Sequence, residues 1–163
     1  MYRMIRRTYD GQLCTIARAL EVVGERWTLL IIRDALLGVT RFEGFRSTLG
    51  VPRNVLTDRL NLLVANGVLE RVVYSARPVR HEYLLTAKGR GLAPVIVTLM
   101  EWGDEYFTDE AHGPPRRIVH EGCGGQAVSQ LVCVRCGSPL GPLDMTVIPL
   151  PAPGAESDNS HSG

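Results

Sequence analysis

The 163-residue chain lacks any apolar run of the roughly 20 residues that a membrane helix needs; stretches such as Leu29 to Ile32 and Val95 to Val97 end after a few positions. A membrane-spanning helix is therefore not expected. The start, Met1-Tyr2-Arg3-Met4-Ile5-Arg6-Arg7, carries positive charge with no apolar stretch behind it, so the pattern of a secretory signal is missing and a cytoplasmic location is expected. Lysine is almost absent: Lys88 stands alone among eighteen basic residues. Neither Gly-x-Ser-x-Gly nor His-Glu-x-x-His occurs, so a hydrolase has no support and no catalytic residue is nominated. No internal repeat stands out. Cysteine is scarce, four in all, which in a reducing compartment argues against a disulfide scaffold.

A hydrophobic content of 45% in a chain of this length supports one real core and a small satellite that needs outside help to fold. The net charge of +1 conceals a polarity. Residues 1–92 hold fifteen Arg or Lys against eight Asp or Glu, a balance of +7, while residues 93–163 hold three against nine, a balance of −6. The front part is the nucleic-acid candidate.

Helical spacing of Ile16, Ala19, Leu20 and Val23 runs to Gly24, and a second run with Trp27, Leu30, Ile31 and Leu37 ends at Gly38. A third short helix carries Phe42, Phe45 and Leu49 and stops at Gly50. Pro52 then suits the first turn of a helix whose buried face is Val55, Leu56, Leu60, Leu63 and Val64, ending at Asn66-Gly67. The period changes to that of strands over 68–74 and 81–86, with a tip over 75–80 that contains Pro78. Thr86 is placed to cap a last helix with Leu92, Val95, Ile96, Leu99 and Trp102 on one face, which Pro94 should kink or restart. The two tryptophans are read as core or interface residues. Gly113-Pro114-Pro115 breaks the chain, and residues 149–163, rich in Pro, Gly, Ser and Ala, are expected to be disordered.

Helix, short helix, glycine turn, helix and hairpin is the order of a winged helix-turn-helix. On the helix after Pro52, Arg53, Asn54, Thr57, Asp58 and Asn61 are spaced three and four apart and share one stripe. Arg grips guanine O6 and N7, Asn pairs with adenine N6 and N7, and Thr touches a base edge or a thymine methyl. Arg77, Arg80 and His81 on the hairpin, with Arg41 and Arg46 on the preceding helix, suit phosphates or an adjacent minor groove and would position the protein. Any polar helix face resembles such a stripe taken alone, and Arg59 reads equally well as a structural ion-pair partner. The order of elements and the charge polarity favour DNA. The fold class is thus mainly α with a small β-hairpin wing.

Several motifs occur in order: Cys14 to Leu20, Gly24-Glu25-Arg26-Trp27 through Gly38, Arg41-Phe42-Glu43, Leu56 to Leu60, Asn66 to Arg71, Glu82 to Arg90, and Trp102-Gly103. Together they make residues 10–107 resemble the HxlR family of bacterial regulators. The resemblance implies a MarR-like winged-helix homodimer, joined through its first and last helices, that represses or activates at palindromic operators on double-stranded DNA. It also implies that a cysteine at the position of Cys14 can sense oxidants, quinones or aldehydes. Arg26 stands where the family often has lysine, and Pro52 where a small capping residue is usual.

Cys14 lies near a helix start with Arg18 one turn later and Arg6 and Arg7 upstream, surroundings that favour a reactive thiol; a small apolar residue buried at a dimer interface is the plainer reading. Downstream, His120-x2-Cys123 and Cys133-x2-Cys136 form two short knuckles, each followed by glycine, at Gly124 and Gly137. Two such pairs match the tetrahedral ligand set of structural zinc, and a segment too short for its own core would take folding energy from the metal. A disulfide pair and ordinary thiols are the other readings. His81 and His112 are too isolated to be ligands. The expected organisation is a DNA-binding and dimerisation domain over 10–110, a zinc-ribbon-like module over 114–148 and a tail over 149–163. A protein-interaction adaptor, docking a partner through the zinc segment, is the competing class.

Overall fold

A computed structural model of the chain describes residues 14–108, 113–141 and 143–148; the tail expected over 149–163, and Arg6 and Arg7, lie outside the described residues. Four helices come first: α1 (Thr15–Val23), α2 (Thr28–Leu36), α3 (Phe42–Leu49) and α4 (Arg53–Ala65). Gly50 closes α3 in the left-handed conformation at φ 63°, which lets the chain reverse and enter α4 within three residues. Pro52 stands one position earlier than the sequence suggests. Its backbone is non-helical, at φ −57° and ψ 141°, and its carbonyl accepts the first helical bond from Leu56 N–H at 2.9 Å.

The core joins Ile31 and Ile32 of α2, Phe45 of α3, Leu56, Leu60 and Leu63 of α4, and Val51, Val68 and Leu69. One buried carboxylate fixes how α2 meets α3. Asp34 Oδ1 accepts hydrogen bonds from Arg33 Nε at 2.9 Å and Nη2 at 2.7 Å, and Oδ2 accepts one from the Thr48 hydroxyl at 2.6 Å. A buried charge is tolerable only with partners of this kind.

The wing is an antiparallel pair, β1 (Leu69–Ala76) and β2 (Val79–Leu85), in register from Leu69 opposite Leu85 to Ala76 opposite Val79. The strands run further than the sequence suggests. Most of the expected tip over 75–80 is paired backbone, and only Arg77 and Pro78 make the turn, joined by a cis peptide. An irregularity between Val73 and Ser75 leaves Tyr74 outside the pairing. The wing is stitched to the helices where Tyr83 N–H donates to the Thr40 carbonyl at 2.7 Å.

Thr86 caps the short helix α5 (Ala87–Arg90), its hydroxyl oxygen accepting from Gly89 N–H at 3.1 Å. A side chain at Gly89 would strike the Val68 carbonyl, so the chain passes there only as glycine. The last helix restarts as α6 (Ala93–Phe107) with Pro94 in its first turn. Leu92 and Ile96 pack on the core, but no residue of α6 is fully buried, and Val95, Leu99, Trp102, Tyr106 and Phe107 are exposed. Ile16 and Leu20 of α1 are exposed as well. Their regular spacing marks a helix without marking the core of one chain.

The chain divides into two units, residues 1–128 and 129–163, each described by itself. The division comes later than the Gly113-Pro114-Pro115 break because residues 113–127 lie beside Met100, Glu101 and Asp104 of α6, where they line a cavity of about 490 Å³. In the first unit His120 N–H donates to the Gly125 carbonyl at 2.8 Å, Gly124 N–H to His120 at 2.8 Å and Ala127 N–H to Ile118 at 2.8 Å. Thirteen positions on, in the second unit, Cys133 N–H donates to Ser138 at 2.9 Å, Gly137 N–H to Cys133 at 2.7 Å and Leu140 N–H to Leu131 at 2.9 Å. The backbone therefore repeats where the sequence shows no repeat, since the two stretches share little beyond a ligand-type residue, a cysteine and a glycine.

Candidate nucleic-acid interface

Arg53, Asn54, Thr57, Asp58 and Asn61 are all exposed on α4, as their spacing requires. The Thr57 hydroxyl donates to the Arg53 carbonyl at 2.9 Å within the helix. Arg59, on the flank of the stripe, pairs with Glu25 at 3.4 Å and is mostly buried, which makes it a structural residue.

The arginine at the start of the stripe is already engaged. Arg53 Nη1 lies 3.0 Å from Glu43 Oε1, and its guanidinium sits 5.0 Å from the centre of the Phe42 ring. The other Glu43 oxygen takes Arg46 Nη1 at 3.0 Å. Sequence spacing relates Glu43 to Arg46 as helical neighbours, but the pairing with Arg53 depends on the short turn at Gly50, which brings α3 and the start of α4 together. Both pairs are exposed, so each is worth about 0–1 kcal/mol and a better partner displaces it.

Beside them, the Arg41 guanidinium stacks 4.4 Å from the Tyr74 ring, the residue left outside the strand pairing. Arg41, at the N-terminal cap of α3, and Arg53, at the start of α4, converge with Arg80 and His81 of the wing on one cleft of about 620 Å³. Arg77 is exposed at the turn and Arg46 is exposed on α3; neither lines the cleft. Three guanidinium groups around one opening, with aromatic rings holding two of them, form a concave cationic surface suited to a phosphate backbone. Glu43 is the opposing charge in it, and Phe42, Glu43 and Tyr74 are the members that sequence reasoning missed.

Glu43→Gln is expected to raise affinity for operator DNA about threefold to tenfold, since it removes an anion that faces phosphate and frees two arginines. Fluorescence anisotropy at fixed salt measures this. Unchanged or weaker binding would place Glu43 away from the DNA.

Cys14 is exposed and extended just before α1 and makes no capping hydrogen bond through its side chain. All four cysteines are free. In the first knuckle His120 Nδ1 lies 3.4 Å from Cys123 Sγ. In the second, hydrogen bonds from the Ser138 side chain and backbone, and then from Cys133, hold the Cys136 thiol below its ordinary pKa. Among the described residues no three His, Cys, Asp or Glu side chains gather around one point.

A family model for HxlR-like helix-turn-helix proteins matches residues 22–111, from the end of α1 through all of α6. The chain belongs to the HxlR family. An uncharacterized HTH-type transcriptional regulator of Mycobacterium tuberculosis (strain H37Rv) is 49% identical to it over 146 residues, covering 90% of this chain and 89% of that protein. A match of that extent runs through both knuckles. The crystal structure of PA1607, solved as a candidate transcription factor, is 38% identical with a TM-score of 0.77, covering 85% of this chain and 96% of the other. The redox regulator HypR in its reduced form is 32% identical with a TM-score of 0.54, covering 56% of this chain and 92% of that one. This HxlR chain is a winged helix-turn-helix transcriptional regulator, and its relatives carry regulator names rather than enzyme names. No helix among the described residues is long and apolar enough to cross a membrane.

Proposed function

We propose that this HxlR regulator works in the cytoplasm as a homodimer that reads a palindromic operator with α4 and clamps it with the wing. The observation that carries the reading is the exposed α4 stripe opening onto a cleft ringed by Arg41, Arg53 and Arg80. Arg53, Asn54, Thr57, Asp58 and Asn61 face base edges; Arg41, Arg46, Arg77, Arg80 and His81 hold the backbone. The second copy covers the apolar side of α6, whose large side chains a single chain leaves in water. Two α4 helices then sit about 34–36 Å apart, one turn of DNA.

The test is a footprint of the metal-replete protein on DNA upstream of its own gene and the neighbouring gene, with excess competitor. Two related half-sites one turn apart are expected. Weak, sequence-blind binding on all such fragments would favour the adaptor, in which the helical domain only dimerises.

A regulatory input fits Cys14, the exposed thiol before α1. The neighbour HypR bears the name of a redox regulator and has been solved in reduced and oxidised forms. No second cysteine lies in the DNA-binding domain, so oxidation joins Cys14 to the other copy's Cys14 or to a small thiol, with two electrons passing to the oxidant. Cys14→Ser should bind operator as the unaltered protein does under reducing conditions and lose the response to a thiol oxidant. A variant that still responds would remove Cys14 from the switch.

A further inference from the structure

We infer that the cavity between α6 and residues 113–127 is a binding site for a small dipolar molecule, an amino acid in its zwitterionic form with an uncharged side chain. The whole cavity lies within the first unit. One wall is α6, where Glu101 and Asp104, three residues apart, share a half-buried face. The other wall is the segment from Gly113, which contributes Arg116 and Arg117. Backbone pairing holds that segment in shape: Ala127 N–H donates to the Ile118 carbonyl at 2.8 Å, and Val119 bridges to Gln126. Ile118, Gln126 and Ala127 all line the cavity.

The opposite charges on the two walls do not satisfy each other. Among the described residues, Asp104, Arg116 and Arg117 make no ion pair and no side-chain hydrogen bond, although they line the same 490 Å³. Elsewhere in the chain an arginine near a carboxylate takes it, as Arg46 and Arg53 take Glu43 and Arg33 takes Asp34. Here the cavity keeps the partners apart, and a molecule with a charge at each end bridges them. A carboxylate accepts from a planar guanidinium through two parallel hydrogen bonds, so it suits Arg116 and Arg117. An ammonium suits Asp104, with Glu101 one turn away.

The balance of charge sets the class of ligand. Two cationic groups against two anionic ones sum to zero, so a ligand with a net charge meets repulsion at one wall, whereas a zwitterion is attracted at both. Met100 and Ile118 add apolar surface for an uncharged side chain. The volume falls within the roughly 300–1,000 Å³ of small-molecule sites, where a few convergent polar groups fix orientation. At helical pitch Glu101 and Asp104 lie on the side of α6 opposite Leu99, Trp102 and Tyr106. A ligand that draws residues 113–127 against the helix therefore acts on the element whose other side the proposed homodimer covers. That consequence rests on the dimer reading; binding does not.

Calorimetric titration of the full-length protein with the common L-amino acids, each at millimolar concentration, tests the site. One or more with uncharged side chains should bind, one molecule per chain, and glutamate, lysine and inorganic phosphate should bind at least tenfold more weakly. Propionate and ethylamine, each carrying one end only, should not bind. Arg116 and Arg117 are exposed and unpartnered, so Arg116→Ala and Arg117→Ala should leave circular dichroism unchanged while weakening binding about tenfold each. Asp104→Asn should weaken it similarly from the other end. No heat from any amino acid would overturn the site, as would binding unchanged in both arginine variants. Preference for glutamate or phosphate would make the cavity an anion site and overturn the ligand class. None of these readouts involves DNA, so their failure leaves the operator reading untouched.

Discussion

Alanine at both Arg53 and Arg80 is expected to weaken operator binding by about 10²-fold, the two losses differing in kind. Arg53 begins the α4 stripe and is aimed by Phe42 and Glu43. A bidentate arginine–guanine contact is worth about 1–3 kcal/mol of discrimination, so Arg53→Ala flattens the preference at one base pair in each half-site. Arg80 lies across the cleft on the wing, and its loss should lower affinity by a similar factor on every sequence. Anisotropy titrations against the operator and a single-base variant separate them. If Arg53→Ala weakens both DNAs equally, Arg53 grips phosphate, and base reading falls to Asn54, Thr57 and Asn61.

Still larger is the effect expected from a carboxylate on the apolar side of α6. Trp102 is half exposed in the single chain and stacks on Tyr106 and Phe107, with centroids 5.7 and 5.2 Å away. In the proposed homodimer, Trp102→Glu would bury two charges and should raise the dimer dissociation constant by about 10³-fold or more, since each unpaired charge costs several kcal/mol to bury. Light scattering should then show a monomer. Operator affinity should fall with it, because the second half-site is no longer tethered to the first. The core at Ile31, Phe45 and Leu60 is untouched, so circular dichroism should be unchanged. A variant that remains dimeric would move the interface off α6.

The helices and the wing were legible because their limits are set locally. Gly50 and Gly67 take left-handed backbone that other residues resist, and the apolar stripe of α4 has one face to bury. The hairpin tip was read too long because residues 75–80 are polar and contain a proline, whereas pairing of Ala76 with Val79 depends on backbone register. Exposure on α1 and α6 was not legible from periodicity, since Ile16, Leu20 and Leu99 are spaced as core residues are; only the family resemblance, which implies joining through the first and last helices, pointed to it. At the site, spacing alone placed the α4 stripe. The pairing of Glu43 with Arg53 and the stacking of Arg41 on Tyr74 were not foreseeable, since one depends on the angle between two helices and the other on a strand irregularity. Asp34 escaped notice for the same reason: its partners are the adjacent Arg33 and Thr48, which lies on the next helix.

In the proposed DNA complex, the double hold of Glu43 on Arg46 and Arg53 would also set how binding responds to ionic strength. Each phosphate neutralised on duplex DNA expels condensed cations, and affinity falls with salt by about 0.9 of a logarithmic unit per unit logarithm of concentration. When Arg53 leaves Glu43 for DNA, the abandoned carboxylate attracts a cation of its own, and part of that release is cancelled. Docking is then partly an exchange of one anion for another. The regulator should tolerate changes in cellular ion content better than the number of its arginines suggests.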